Sequence, residues 1–382
     1  TGCTLKLYYT VFEDCDVISR YSVLENHGKA PVDIEKMMSL TCDIPGREWD
    51  MISLHGAHCW ERNVCRLPVR MGSQSVFSRR GASSHQFNPF IAIAEHKATE
   101  ERGSVYGFNF VYSGNFLSEV EQGQEEYTRV QVGIGSENFG WRLEPGEVFE
   151  APEAVMTYSA SGIGQMSRNF HKFTRAHILP PDKTEHRPVV LNSWEAVFFD
   201  IDEKVLIDFA RESRRYGIQY GSTLAYPAAT MSCHVSHPGD DPDEIDYRWA
   251  VAIHGMLGYE MNILTVDEAV KARIPHEIEQ YREYEHLIKD GELYRLKNPP
   301  ENGCAAYYYT NGDGSEILLS FIQTEDSVKN VSYRLKISRA ERGAVYIDRR
   351  SGERFTGDEL RAGIVYETAP KHFASVRYLV KE

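Results

Sequence analysis

The chain has 382 residues, 42% hydrophobic, 26% charged and 12% aromatic, which at ~100–200 residues per domain suits two or three domains with real cores. This composition excludes disorder, collagen, coiled coil and a disulfide miniprotein, and no apolar run nears the ~18 residues of a membrane span. A net charge of −14 argues against nucleic acid and against an anionic membrane surface as partner, since both select a basic face.

Residues 1–160 read as β structure. Leu5–Phe12 is rich in aromatic and β-branched residues, and Val17–Leu24 alternates loosely before the turn residues Asn26-His27-Gly28. Further strands are expected at 32–42, 48–56, 105–112, 128–134 and 147–157, a sandwich-like pattern. Met166, Phe170 and Phe173 have helical spacing, and Pro180-Pro181 stops that helix. The proline-containing, charged stretch 178–187 reads as a linker.

The period then changes. Arg187–Asn192 suits a short buried parallel strand. Asp202 is a plausible N-cap for a helix with Val205, Leu206, Phe209 and Ala210 on one face. A second helix is expected over 243–258, with Ala250, Ile253 and Leu257 on one face, and a third over 267–289, interrupted at Pro275. After Pro299-Pro300 the chain returns to strands near 306–310, 317–322, 331–337, 345–348 and 376–380. Asn311-Gly312-Asp313-Gly314 is a hairpin-turn signature.

The seven cysteines, Cys3, Cys15, Cys42, Cys59, Cys65, Cys233 and Cys304, include no CxxC pair, so reduced thiols in a cytoplasmic protein are expected rather than a disulfide framework or a zinc knuckle. The start at Thr1 rather than Met reads as a processed or truncated end.

The strongest functional string is Arg187-Pro188-Val189-Val190-Leu191-Asn192-Ser193-Trp194-Glu195-Ala196. A strand end presenting Asn, Trp and Glu is where an α/β barrel holds its ligand. Trp194 either stacks on the apolar face of a sugar or caps a core.

That string resembles the start of the catalytic barrel in microbial α-galactosidases of glycoside hydrolase family 36. Others resemble family motifs in the same order: Ile52–Ala57, Ser78–Gln86 with Asn88-Pro89-Phe90, Val111–Phe116, and Gln219–Pro227 followed by His234-Val235-Ser236. The resemblance implies an N-terminal β-sandwich, a (β/α)8 barrel and a C-terminal β domain. It implies hydrolysis of terminal α-galactosides of the melibiose and raffinose type, by a retaining mechanism with two carboxyl groups. It implies no metal or organic cofactor, a cytoplasmic homo-oligomer, and a place for Trp194 in the galactose site.

The chain departs from the family inside the barrel. The segment from Arg187 to Leu293 is only about half of the ~200 residues a barrel needs. The family's Asp-Asp-Gly-Trp, Lys-Trp-Asp, Cys-Ser-Ser-Gly-Gly-Gly and Ser-Asp-Asn strings are absent. The text passes from Tyr216-Gly217-Ile218 straight to Gln219-Tyr220-Gly221, as if barrel strands two to seven were missing. The expected division is therefore 1–165, a partial N-terminal β-sandwich; 166–186, a helix and linker; 187–293, an incomplete (β/α)8 barrel; and 294–382, a C-terminal β domain. The fold class is mainly β and multidomain, with an α/β part.

No catalytic residue is assigned. Glu195, Asp200 and Asp202 lie near the old barrel mouth, and Asp240, Asp241, Asp243 and Glu244 precede a helix. Adjacent acids of this kind read as a solvated face or as helix N-terminal charge. Arg79 and Arg80 either reach over a barrel mouth or a neighbouring subunit, or form an interdomain salt bridge, and the salt bridge is favoured. His55, His58 and His85 show no metal-ligand spacing, and His234 and His237 lie three apart with no clear acidic partner, so ordinary hydrogen-bonded histidines are expected; a calcium loop at Asp240–Asp243 lacks the remaining ligands. The expected product is thus an α-galactosidase-like chain without its hydrolytic carboxylates, or a carbohydrate-binding or oligomerisation protein descended from that family.

Overall fold

The computed structural model describes residues 2–58, 60–180, 186, 190–191, 215–236, 244–261, 266–327 and 329–382. The chain forms two compact units. One runs to Leu179 and includes Leu224–Tyr226; the other holds the described residues from Pro180 to Thr223 and from Pro227 to Glu382.

The first unit is a β-sandwich. Its larger sheet is antiparallel, in the order Cys3–Phe12, Val17–Asn26, Ala154–Ser159, Val105–Phe110, Phe87–Glu95, Trp49–Ala57 and Trp60–Pro68. The second sheet orders Met37–Pro45, Tyr127–Ile134, Leu117–Gln122 and Gly72–Phe77. The strand Phe87–Glu95 shows why they stack. Ile91 and Ile93 face Leu40, Val120, Val130 and Val132 of the second sheet. Phe90, Ala92 and Ala94 face the other way, onto Met166 and Phe170 of the helix Gly162–Phe173. A strand buried on both faces has no polar alternation, so sequence reading missed it. The helix sits close: a Cβ at Gly107 would fall 2.6 Å from Phe170 Cε2 and 2.7 Å from Met166 Sδ.

Other differences have similar causes. The expected strand 32–42 is two, because Val32–Ile34 pairs with Trp141–Leu143 while Met37–Pro45 joins the second sheet. The expected strand 147–157 is also two, Val148–Glu150 and Ala154–Ser159. Trp60–Pro68 is an edge strand, polar and half-exposed, and gave no periodic signal. The helix begins earlier than expected and runs into a π-helical turn, Thr174–Ile178.

The second unit opens with a parallel sheet ordered Val190–Leu191, Met256–Glu260, Ser232–Ser236. The helix expected over 243–258 is corrected here: it spans Glu244–Ala252 and gives way to the central strand of this sheet. Gly255 makes the change possible, since a Cβ there would lie 2.6 Å from Cys233 Sγ and 2.8 Å from the Met231 carbonyl. The expected break at Pro275 is also corrected. The helix Glu268–Asp290 is continuous, N-capped by Asp267, whose side chain accepts from the Ala269 N–H at 2.7 Å. Pro275 lies on its exposed side, and burial of Val270, Tyr281, Tyr284, Leu287 and Ile288 offsets the ~3 kcal/mol cost of an internal proline.

An antiparallel sheet follows, in the order Glu292–Lys297, Cys304–Thr310, Glu316–Gln323, Ala374–Lys381, Val345–Asp348 and Arg354–Thr356. The Asn311–Gly314 turn forms its second hairpin: Asn311 Oδ1 accepts from the Glu316 N–H and Asp313 Oδ1 from the Ser315 N–H. Tyr308, Leu319, Phe321, Tyr346 and Leu379 pack its core. Cys3, Cys15, Cys42, Cys65, Cys233 and Cys304 are free thiols. Among the described residues no helix is long and apolar enough to cross a membrane.

Candidate functional site

In a parallel β/α assembly the ligand-facing side chains gather at the carboxyl ends of the strands. The three strands here end at Leu191, Ser236 and Glu260. Cys233 and Val235 are buried, and the Tyr259 hydroxyl donates to Glu277 Oε2 on the helix Glu268–Asp290 at 2.7 Å. Alternation therefore turns Ser232, His234 and Glu260 to the opposite face. There His234 Nδ1 lies 3.7 Å from Glu260 Oε2, and His234 Nε2 lies 2.9 Å from Ser232 Oγ. Both side chains are largely withdrawn from solvent. Beside them the Arg248 guanidinium donates to Ser236 Oγ at 2.7 Å.

This row offers a carboxylate, an imidazole and two hydroxyls, groups suited to holding a polyol. It does not supply retaining glycosidase chemistry, which takes two carboxyl groups ~5–5.5 Å apart. Within the three described strands Glu260 is the single carboxylate.

Sequence reasoning found His234 but no acidic partner for it. The partner is Glu260, visible only when Met256–Glu260 is recognised as a parallel strand in register with His234↔Gly258 and Ser236↔Glu260. Trp194, Glu195, Asp200, Asp202, His237, Asp240, Asp241 and Asp243 lie outside the described residues. Glu244 is engaged structurally, 3.7 Å from Arg248 Nε and 2.9 Å from His372 Nε2. The expected interdomain salt bridge is corrected here: Arg79 lies 3.2 Å from Glu137 of the same unit and over the Phe77 ring, an exposed ion pair, and Arg80 is exposed beside it. His55 packs edge-on to Trp60, and His58 and His85 are exposed.

The motif strings of the first unit do meet one another. The Tyr226 hydroxyl donates to Asn88 Oδ1 at 3.0 Å, and the Arg62 guanidinium lies over the Tyr226 ring. The Ser78–Gln86 string lies along Val111–Phe116: the Ser78 N–H donates to the Phe116 carbonyl, Gly81 N–H to Asn115 Oδ1, and Ser83 N–H to the Ser113 carbonyl. Strings far apart in the chain thus build shared loops.

Comparison with known proteins agrees with these groupings. Residues 1–144 match the glycosyl hydrolase family 36 N-terminal domain, and residues 148–219 and 213–291 match the melibiase family model. The chain belongs to glycosyl hydrolase family 36. The α-galactosidase AgaA of Geobacillus stearothermophilus is 42% identical over 219 residues, 57% of this chain and 30% of that protein. Alpha-galactosidase 1 of Pediococcus pentosaceus is 40% identical over 214 residues, 56% of this chain and 29% of that protein. The chain thus aligns with less than a third of the length of these curated relatives. In structure, all of the chain superposes on 82% of a variant of the Geobacillus family 36 enzyme crystallised with 1-deoxygalactonojirimycin, with a TM-score of 0.91 and 24% identity. The Lactobacillus brevis α-galactosidase gives 0.91 at 20% identity, over 80% of its chain. These likenesses establish the family 36 fold.

Two features of the family match bear on the barrel. The melibiase model aligns in two pieces that share only residues 213–219, around the junction between Ile218 and Gln219 where sequence reading puts the lost strands. The lengths agree. Since 219 residues make up 30% of the curated AgaA, this chain has little more than half that protein's length, yet its superposition extends across 82% of the solved chain. The structural match therefore steps over an internal stretch of the relative.

Proposed function

We propose that this chain is a non-hydrolytic derivative of a retaining family 36 α-galactosidase, keeping the sandwich scaffold and one flank of the galactoside site. The carrying observation is the parallel sheet. Its described strands present Glu260 alone as a carboxylate, held beside His234, whereas the retaining reaction takes a nucleophile and an acid/base. In this reading the domains run 1–165, 166–186, 187–293 and 294–382, and Trp194 stacks on the galactose ring. The ligands are α-galactosides of the melibiose and raffinose type. Variants of the Geobacillus relative were crystallised with raffinose and with stachyose.

Binding or assembly is the remaining role. Assembly as a cytoplasmic homo-oligomer has support at the edge strand Cys3–Phe12, where Leu5, Leu7, Tyr9 and Val11 are all exposed. A sheet edge with an apolar row is a ready pairing surface.

The test is turnover of a chromogenic α-galactoside by the folded 382-residue chain, with calorimetric titration of raffinose alongside. The expected result is no turnover above buffer, with raffinose binding weakened by Trp194→Ala. Turnover that Glu260→Gln abolishes would overturn the proposal and make Glu260 half of a working pair.

A further inference from the structure

We propose that Asp14, Cys15 and His177 form a site for a zinc-type divalent cation on the first unit. One carboxylate oxygen, one sulfur and one ring nitrogen lie within 4.8 Å of one another. His177 Nε2 is 3.2 Å from Asp14 Oδ2, and Cys15 Sγ is 3.7 Å from Asp14 Oδ1. A mixed S, N and O donor set selects zinc over calcium or magnesium, which take oxygen ligands. Three protein ligands leave a fourth, tetrahedral position to water.

The backbone brings these donors together from opposite ends of the unit. Asp14 and Cys15 lie in the turn between the strands Cys3–Phe12 and Val17–Asn26, a turn closed by Asp16 in the left-handed region with φ 55°. His177 comes from the π-helical turn Thr174–Ile178 that extends the helix Gly162–Phe173. Such π turns are rare and concentrate at functional positions. The imidazole packs against two rings that also meet each other, with its centroid 4.5 Å from that of Phe12 and 5.6 Å from that of Phe173. Cys15 is 2% exposed and anchors the sulfur from below, while Asp14 and His177 stay open to solvent. The site thus has a packed floor and an accessible mouth.

Redox use of the thiol does not suit this setting. Burial, with the neighbouring negative charge of Asp14, raises the Cys15 pKa to about 11, so the free thiol keeps its proton and is a poor nucleophile. A divalent cation reverses that balance. On binding, the Cys15 S–H bond breaks, its proton passes to solvent, and the sulfur electron pair forms the metal–sulfur bond as a metal-bound water leaves.

The test uses the full chain, freed of metal with chelator, and Co²⁺ as the probe. A folded wild type should take up one equivalent, with thiolate-to-cobalt charge transfer in the near ultraviolet and intense tetrahedral bands in the visible. Zn²⁺ should displace the Co²⁺, and native mass spectrometry should show one bound zinc. His177→Gln is the decisive variant, since the side chain is partly exposed and the variant's fold is checked by near-ultraviolet dichroism; affinity should fall by about tenfold or more, because a lost ligand costs at least as much as a lost outer-shell partner. Cys15→Ser should abolish the charge-transfer band while the near-ultraviolet dichroism of the folded unit persists. A folded wild type with no thiolate–cobalt band would overturn the proposal. So would a band unchanged in His177→Gln, because the metal would then be held by other cysteines.

Discussion

The two sheets on which the chain depends are built to different standards. In the sandwich, Phe87–Glu95 is paired along both edges, by Trp49–Ala57 and by Val105–Phe110, and covered on both faces. In the parallel sheet, the described residues pair Met256–Glu260 over its full length with Ser232–Ser236, and Gly258 and Tyr259 with Val190 and Leu191. Parallel strands are stable when many of them close around a shared core. The lesson lies in how the two are held: the sandwich strand is paired on both edges and covered on both faces, whereas among the described residues the parallel sheet has three strands, one of them two residues long.

The largest effect that would sharpen this contrast comes from the sandwich core. Phe170 is fully buried and meets Phe90 edge-on at 6.3 Å between ring centroids. Phe170→Ala should cost about 3–5 kcal/mol, the range for deleting a buried aromatic ring, read as a lower urea midpoint. Hydrogen exchange on the wild type should find the amides of 90–94 slower than those of 232–236 and 256–260. The reverse order would break the comparison.

The next effect lies in the parallel sheet's own support. Glu277 is buried on the helix Glu268–Asp290, with Oε2 accepting from Tyr259 and Oε1 lacking a hydrogen-bond partner among the described residues. Burial pushes its pKa up to about 7; the Tyr259 hydrogen bond opposes the rise, and the negative charge of Asp246 adds to it. The folded state therefore holds this proton more tightly than the unfolded chain does. The resulting stability is fully present below the ordinary value of 4.5 and is lost as pH rises through about 7. Glu277→Gln keeps an acceptor for Tyr259 and never ionises. Relative to wild type it should be neutral near pH 4.5 and more stable by about 2–3 kcal/mol at pH 8.5. Equal pH profiles for the two proteins would show that Glu277 ionises freely.

How much of this was legible in the sequence depended on whether a residue's partner is local. The hairpin strands Leu5–Phe12 and Val17–Leu24 and the Asn311–Gly314 hairpin are legible because adjacent residues determine them. Phe87–Glu95 was missed because burial on both faces erases the period of two. The helix expected to reach 258 failed for a tertiary reason: Gly255 lies against Cys233 and Met231, which no local pattern reports. The same error hid the candidate site, since His234 acquires Glu260 only through a parallel register between strands separated by a helix. The junction at Ile218–Gln219 was legible for the opposite reason, as a loss of strings in a fixed order.

The smallest effect concerns how the parallel sheet's neighbouring helix is tied to the C-terminal strands. His372 Nε2 meets Glu244 Oε1 at 2.9 Å, Nδ1 meets Asp326 Oδ1 at 3.0 Å, and the ring packs on Tyr247. Burial alone would lower its pKa, but the hydrogen bonds to Asp326 and Glu244 outweigh burial and raise it. A histidine with a raised folded pKa contributes stability that is full below the unfolded value of 6.5 and is lost as pH rises through the folded value. The contribution is small because His372 is part-exposed: under about 1 kcal/mol, as for other surface ion pairs. His372→Gln should therefore lower the thermal midpoint at pH 6 and leave it nearly unchanged at pH 8.5. Its local signature is sharper than its global one. At pH 6 the variant should speed hydrogen exchange in the helix Glu244–Ala252, because that helix loses a charged tie at its first turn, where Glu244 sits. Exchange in the sandwich strands should not change. If both units responded equally, the separation between a self-sufficient scaffold and a dependent parallel sheet would fail.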